Sequence, residues 1–225
     1  MEKTTVFNLI ILDESGSMTS LAKQTVDGCN ETLNVVRSLE QKHGDIQRNL
    51  VSIYLFQSGS VPSRYVYKNQ PIANVKDMTM DIYCPCGCTP LLDAVGSTLV
   101  DLRAVASTHE DATGTVTIIT DGMENSSREY TYEMVSKIIS EMKEQGWTIN
   151  FIGANIDVDA VSHRMNIDNA MAFVANGAGA KQMWGEFSRH MFDHHASRIE
   201  AEQACETREE RLNTRKRISK KFFGK

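Results

Sequence analysis

Apolar residues follow two rhythms along this chain, and each change of rhythm marks an element. "TVFNLIIL" (5–12) is a near-continuous apolar run, the pattern of a strand buried on both faces. From 20 to 42 the apolar positions Leu21, Val26, Cys29, Leu33, Val36 and Leu39 fall at helical spacing, and Gly44 supplies a helix stop. "NLVSIYLF" (49–56) predicts a second strand, and the weaker "SRYVYKN" (63–69) a third, at an edge, after the turn-like "QSGSVP".

The alternation continues. Residues 89–107 read as a helix with Pro90 suited to its first turn. "GTVTIIT" (114–120) is a buried strand ended by "DG", residues 131–146 an amphipathic helix with a glycine stop, and "WTINFIGA" (147–154) another strand. A short helix (158–167) and a last strand (170–176) complete the series. Strands alternating with helices predict an α/β fold: a Rossmann-like, doubly wound, mostly parallel sheet of about six strands with helices on both faces. In such sheets ligands sit beyond the carboxyl ends of the strands, where connections diverge.

Residues 1–176 are therefore expected to form one domain. Residues 177–207 read as a long helix with an apolar stripe, Met183, Phe187 and Met191 at spacing four, packing on that domain or extending from it. His190 and His194, four apart with Asp193 and His195 beside them, are expected on a solvated face of that helix. Residues 208–225 form a basic tail, "NTRKRISKKFFGK" at its end, expected to be poorly ordered.

Composition narrows the picture. With 225 residues, 41% hydrophobic, the chain can bury one good core. A net charge of -5 gives no general reason for nucleic-acid binding, which leaves the basic tail as the one segment suited to it. No apolar run is long enough to span a bilayer, and the first is too short for a signal peptide and is interrupted by Asp13. Five cysteines, three of them in "CPCGC", do not make a disulfide framework. A cytoplasmic location is expected.

The candidate chemistry lies at the strand ends. Asp13, Ser15 and Ser17 follow the first strand at alternate positions, so an extended loop can turn their side chains the same way. One carboxylate and two hydroxyls suit a hard cation, Mg²⁺ or Mn²⁺, better than zinc, which prefers nitrogen and sulfur. Thr89, opening the helix of "TPLLDA", and Asp121, ending the strand of "TIITDG", belong at the same sheet edge. By themselves, Asp, Ser and Ser after a strand also suit helix capping and turn hydrogen bonds.

Together the three segments carry a resemblance. "DESGSM" resembles the Asp-x-Ser-x-Ser motif of von Willebrand factor type A (vWA) domains, "GCTPLLDA" that family's threonine loop and "TDG" its second aspartate loop, in order, over residues 5–176. The resemblance implies a metal-ion-dependent adhesion site (MIDAS) in which Ser15, Ser17 and Thr89 supply hydroxyls and Asp13 and Asp121 bind directly or through water. It also implies a protein partner that donates a Glu or Asp to the metal. Cytoplasmic bacterial members suggest an adaptor in an assembly or stress-response system, tellurite resistance included. "CPCGC" departs from the small residues many relatives carry before the threonine.

Other readings compete. Cys84, Cys86 and Cys88 suit redox chemistry or a second metal, although zinc would need a fourth ligand. A metal-dependent hydrolase or phosphoryl-transfer enzyme at the same rim is the alternative class. Against it, the sequence has no Walker phosphate loop, no G-x-S-x-G elbow and no histidine in a rim motif. Where aspartate-dependent phosphatases place a second acid, this chain has Ser15. The expectation is a binding protein, not an enzyme. Met18 and Met123 flank two of the rim segments and are equally suited to an apolar rim for a partner or to packing under the loops.

Overall fold

A computed structural model of the chain describes residues 3–224. Its centre is β1 (Thr4–Asp13), whose side chains are buried on both faces from Thr5 onward. Phe7, Leu9 and Ile11 enter one apolar core and Ile10 and Leu12 the other, the period-two division of a strand covered on both sides.

After a 3-10 turn (Gly16–Leu21) come α1 (Ala22–His43), β2 (Gln47–Ser58) and β3 (Pro62–Pro71). Then follow α2 (Leu91–Ala106), β4 (Ala112–Thr120), α3 (Tyr132–Glu144), β5 (Thr148–Gly153), α4 (Val158–Arg164) and β6 (Asn169–Ala172). The six strands form one sheet in the order β3-β2-β1-β4-β5-β6. All neighbours are parallel except β2 and the edge strand β3, which pair antiparallel. The fold is Rossmann-like and mostly parallel. The chain leaves β1 toward β2 on one side and later returns to place β4 on the other. The carboxyl end of β1 is therefore a topological switch point, where connecting loops diverge and leave a crevice.

Two cores sandwich the sheet. On one face, Leu99 and Leu102 of α2 and Val135 and Ile139 of α3 meet Val116, Ile118 and Phe151. On the other, Val26, Leu33 and Val36 of α1 meet Ile53, Leu55 and, from α5 (Gly177–Gln203), Trp184 and Phe187. Gly28 makes the contact with Trp184 possible: a β-carbon there would clash directly with Cγ of the indole ring. α1 and α5 pack directly, and α5 is part of the core rather than an extension from it.

The C-terminal segment corrects the expectation of a disordered tail. Residues Arg208–Ile218 form α6, opened by a capping box in which Thr207 and Glu210 satisfy each other's backbone N–H groups. Arg215 of α6 is buried, donating to Asp111 and Glu202. Phe222 is buried against Phe187 and His194, at ring separations of 5.8 and 5.1 Å. A basic composition hid an element whose charges face carboxylates of the same chain.

The solvated face expected at 190–195 is a second correction, because His194 and His195 are buried. They lie three and four residues after Met191, which continues the apolar stripe, and α6 covers them. Among the described residues, no helix is long and apolar enough to cross a membrane.

Candidate metal centre

Asp13 is the last residue of β1 and has no exposed surface. Its Oδ1 accepts the Ser15 N–H at 2.7 Å and its Oδ2 the Thr120 hydroxyl at 2.5 Å, which fixes the carboxylate plane at the strand end. The 3-10 turn then carries the chain past Ser17, and the Ser15 and Ser17 hydroxyls lie 3.1 Å apart. Ser17 donates to Asp121 Oδ1 at 2.5 Å, joining the loop after β1 to the loop after β4.

Thr89 completes the group. It is buried just ahead of α2, and its backbone N–H donates to Asn125 Oδ1 at 2.8 Å. Gly122 reports how closely the loops converge. A β-carbon at that position would lie 3.2 Å from Thr89 Oγ1, 3.6 Å from Ser17 Oγ and 3.9 Å from Asp13 Oδ2. Glycine at 122 thus keeps open a cradle bounded by oxygens of three loops. The structure brings Asp13, Ser15, Ser17, Thr89 and Asp121 to one place at the switch point.

The two carboxylates are uncomfortable there. Burial pushes Asp13 up to about 6, against the hydrogen bonds from Thr120 and Ser15 that pull it down, and nearby Asp121 adds to the rise. Burial also raises Asp121, opposed by its bond from Ser17. A cation in the cradle would relieve both, since opposite charge favours the ionised form. The donor set fits a hard divalent ion: all oxygen, three of five neutral. Among the described residues, no three of His, Cys, Asp and Glu gather as a metal-binding group. A rim with two carboxylates and three hydroxyls would not produce one.

Several supporting residues were invisible in the sequence. Glu14, the variable position inside "DESGS", is wholly buried. Its carboxylate accepts from Arg64 at 2.6 and 3.1 Å, Gln57 Nε2 at 2.6 Å and the Cys84 N–H at 2.7 Å. Its carbonyl accepts the Cys86 N–H, and Gly16 N–H donates to the Gly87 carbonyl. Glu14 therefore clamps the first motif loop to the "CPCGC" segment that leads to Thr89. On the other side, Glu124 accepts the Leu92 N–H at the start of α2, and Asp93 accepts three N–H groups from 128–130. An acidic residue beside a motif is the only sequence signal for Glu14, and its burial is a tertiary fact.

Cys84, Cys86 and Cys88 are exposed and unpaired. Among the described residues they do not gather with other His, Cys, Asp or Glu side chains into a metal-binding group. Of the two flanking methionines, Met18 is buried in the core while Met123 is 67% exposed beside the cradle.

Comparison with known proteins rests on structure alone. No family model matches the chain, and no curated protein does. The pilus adhesin SpaC of Lactobacillus rhamnosus GG, in its open conformation, superposes over 85% of this chain with a TM-score of 0.61 at 14% identity. The vWA domain of SpRpn10 does so over 80% of this chain and 94% of its own length, with a TM-score of 0.51 at 10% identity. The fold is vWA-like. A third structure, proximal thread matrix protein 1 of the mussel byssus with a zinc-occupied MIDAS motif, matches 84% of the chain with a TM-score of 0.54 at 11% identity. The vWA-like chain spans 30% of the adhesin and 46% of the byssus protein. At these identities the likeness is one of fold.

Proposed function

We propose that this vWA-like protein is a metal-dependent binding module. In this reading Asp13, Ser15, Ser17, Thr89 and Asp121 form a MIDAS for Mg²⁺ or Mn²⁺, and the ligand is a Glu or Asp side chain of a protein partner. The observation that carries it is the cradle at Gly122, where a β-carbon would sit 3.2 to 3.9 Å from oxygens of Thr89, Ser17 and Asp13. The byssus protein's zinc-occupied MIDAS supports a divalent ion in this kind of fold. The all-oxygen donors favour a harder ion here.

When bound, the ion would supply a Lewis-acidic position for an incoming carboxylate. The residues of this chain do the rest. Ser15, Ser17 and Thr89 present neutral oxygens, so at most two negative charges face the ion and an external carboxylate remains electrostatically welcome. Thr120 and the Ser15 N–H orient the Asp13 carboxylate, and Asn125 fixes the backbone at Thr89. The polar ring is preorganised, so ion binding need not order the loops.

The same reading makes the protein a binder rather than an enzyme, acting as an adaptor in an assembly or stress-response system. Five unpaired cysteines support work in a reducing compartment such as the cytoplasm. The test is calorimetric titration with Mg²⁺ and Mn²⁺, paired with affinity capture of partners in the presence of Mg²⁺ or of a chelator. Wild-type protein should bind the ion and lose its partners on chelation, and Asp13→Ala should lose both. Partner capture indifferent to chelator would overturn the proposal.

A further inference from the structure

The segment between β3 and α2 carries chemistry that the metal centre does not use. Cys84, Cys86 and Cys88 place exposed, unpaired thiols at alternate positions just ahead of Thr89. Their settings differ. The Cys84 thiol turns back to the Asp81 carbonyl at 3.6 Å. Pro85 favours an extended backbone at Cys84. Extended alternate residues stand about 6.6 Å apart, at the far end of what a disulfide bridges. Between Cys86 and Cys88 the chain bends instead, because Gly87 adopts a φ of 70°, open to glycine alone at little cost. Gly59 leaves room for the Cys86 sulfur, which a β-carbon there would meet at 2.8 Å.

The backbone of these residues also holds the first motif loop. Cys86 N–H donates to the Glu14 carbonyl at 2.8 Å, and Gly16 N–H donates to the Gly87 carbonyl at 3.0 Å. On the far side Cys88 exchanges bonds with Ser58: its N–H donates to the Ser58 hydroxyl, and its carbonyl accepts the Ser58 N–H, both at 3.2 Å. Drawing Cys86 and Cys88 together moves backbone that is bonded on both flanks.

We infer that Cys86 and Cys88 form a reversible disulfide whose closure loosens the loop carrying Ser15 and Ser17. One thiolate of the pair attacks oxidised glutathione, forming a mixed disulfide and releasing one glutathione thiolate. The other thiolate attacks the protein sulfur of that mixed disulfide, closes the intraloop bond and releases the second. The two thiol protons pass to the two glutathiones, so the pair is oxidised by two electrons and the glutathione disulfide is reduced. Exposure gives the oxidant access. So short a ring is strained and therefore easily reduced, which keeps the pair open in a reducing compartment. The effect on Mg²⁺ rests on the metal-site reading above; the disulfide and the loosened loop do not.

The full chain equilibrated with reduced or with oxidised glutathione tests the inference. After denaturing alkylation the oxidised sample should carry two fewer labels, and peptide mapping should place the bond between Cys86 and Cys88. Hydrogen exchange at the Gly16 and Cys86 amides, followed by NMR, should quicken on oxidation. Mg²⁺ affinity should fall about fivefold, the worth of one net hydrogen bond, and recover on reduction. Cys84→Ser should behave as wild type, and Cys88→Ser should respond to oxidised glutathione in neither exchange nor affinity. Five free thiols after oxidation, a bond mapped to Cys84, or unchanged exchange at Gly16 and Cys86 would each overturn the inference. A reduced protein that binds no Mg²⁺ would overturn the metal reading instead, with labels and exchange still deciding this one.

Discussion

Arg64, on the edge strand β3, holds the carboxylate of Glu14 at 2.6 Å, and Glu14 stands between two residues of the candidate metal motif. Glu14 has no exposed surface, while the arginine side chain is 30% exposed. An ion pair buried at one end this way does little for stability by itself, but removing its partner strands a charge in the interior. Arg64→Met is therefore expected to cost about 3 kcal/mol in chemical denaturation. It should also weaken Mg²⁺ affinity, because the loop that carries Ser15 and the segment leading to Thr89 both hang on Glu14. A stability loss with metal affinity intact would show the clamp to be independent of the site.

The cradle at Gly122 predicts a separation of effects. Gly122→Ala places a methyl group 3.2 Å from Thr89 Oγ1 and 3.6 Å from Ser17 Oγ, against the oxygens proposed to hold the ion. Divalent-ion affinity should fall at least about tenfold, equivalent to about 1.4 kcal/mol. Tm should move little, since no core contact is touched. Calorimetric titration beside a thermal melt checks both.

Gly28 governs the opposite behaviour. A β-carbon there would overlap the Trp184 ring, and the neighbour is a rigid, wholly buried side chain that cannot swing clear. Gly28→Ala should push α5 off α1 at a cost of about 1–3 kcal/mol or more. A change in Trp184 fluorescence should accompany the loss, and metal affinity should be spared.

Acid sensitivity should centre on α6. Burial alone would raise Asp111, but hydrogen bonds and charge from Arg215, with help from Thr4 and Arg211, bring it down to about 2. A depressed carboxyl stabilises the fold above its unfolded pKa near 3.8, and that contribution disappears as pH falls toward 2. His194 adds to the trend at milder pH. Burial, then the charge of Arg198, lowers it from 6.5 to about 3, so the unfolded chain takes up a proton first and stability declines as pH drops below 6.5. Asp111→Asn should flatten the stability profile between pH 4 and 2 while lowering the plateau at pH 7. Denaturant melts across that range measure it.

Much of the site was legible because its chemistry is local. Asp13, Ser15 and Ser17 are spaced by two at and after the end of an apolar strand, while Thr89 opens an apolar helix and Asp121 follows the end of an apolar strand. Those patterns need only the strand and helix periods to be placed at one sheet edge. Glu14, Arg64, Asn125 and Glu124 were not legible, since an acid or amide near a motif reads the same whether it points to water or is clamped. Met18 and Met123 show this most simply: both flank motif residues, yet one is core and the other surface.

The sequence by itself determined the element order, the mostly parallel sheet and the rim on which the oxygen donors stand, because periods of two and 3.6 are written residue by residue. Only the tertiary structure decided that the basic C-terminus is the docked helix α6, that His194 and His195 are interior, and that Glu14 is a buried clamp. Charge in a sequence has a sign but no partner. Whether it faces water or an opposite charge is settled by residues far along the chain, as with Arg215 and Asp111, 104 positions apart.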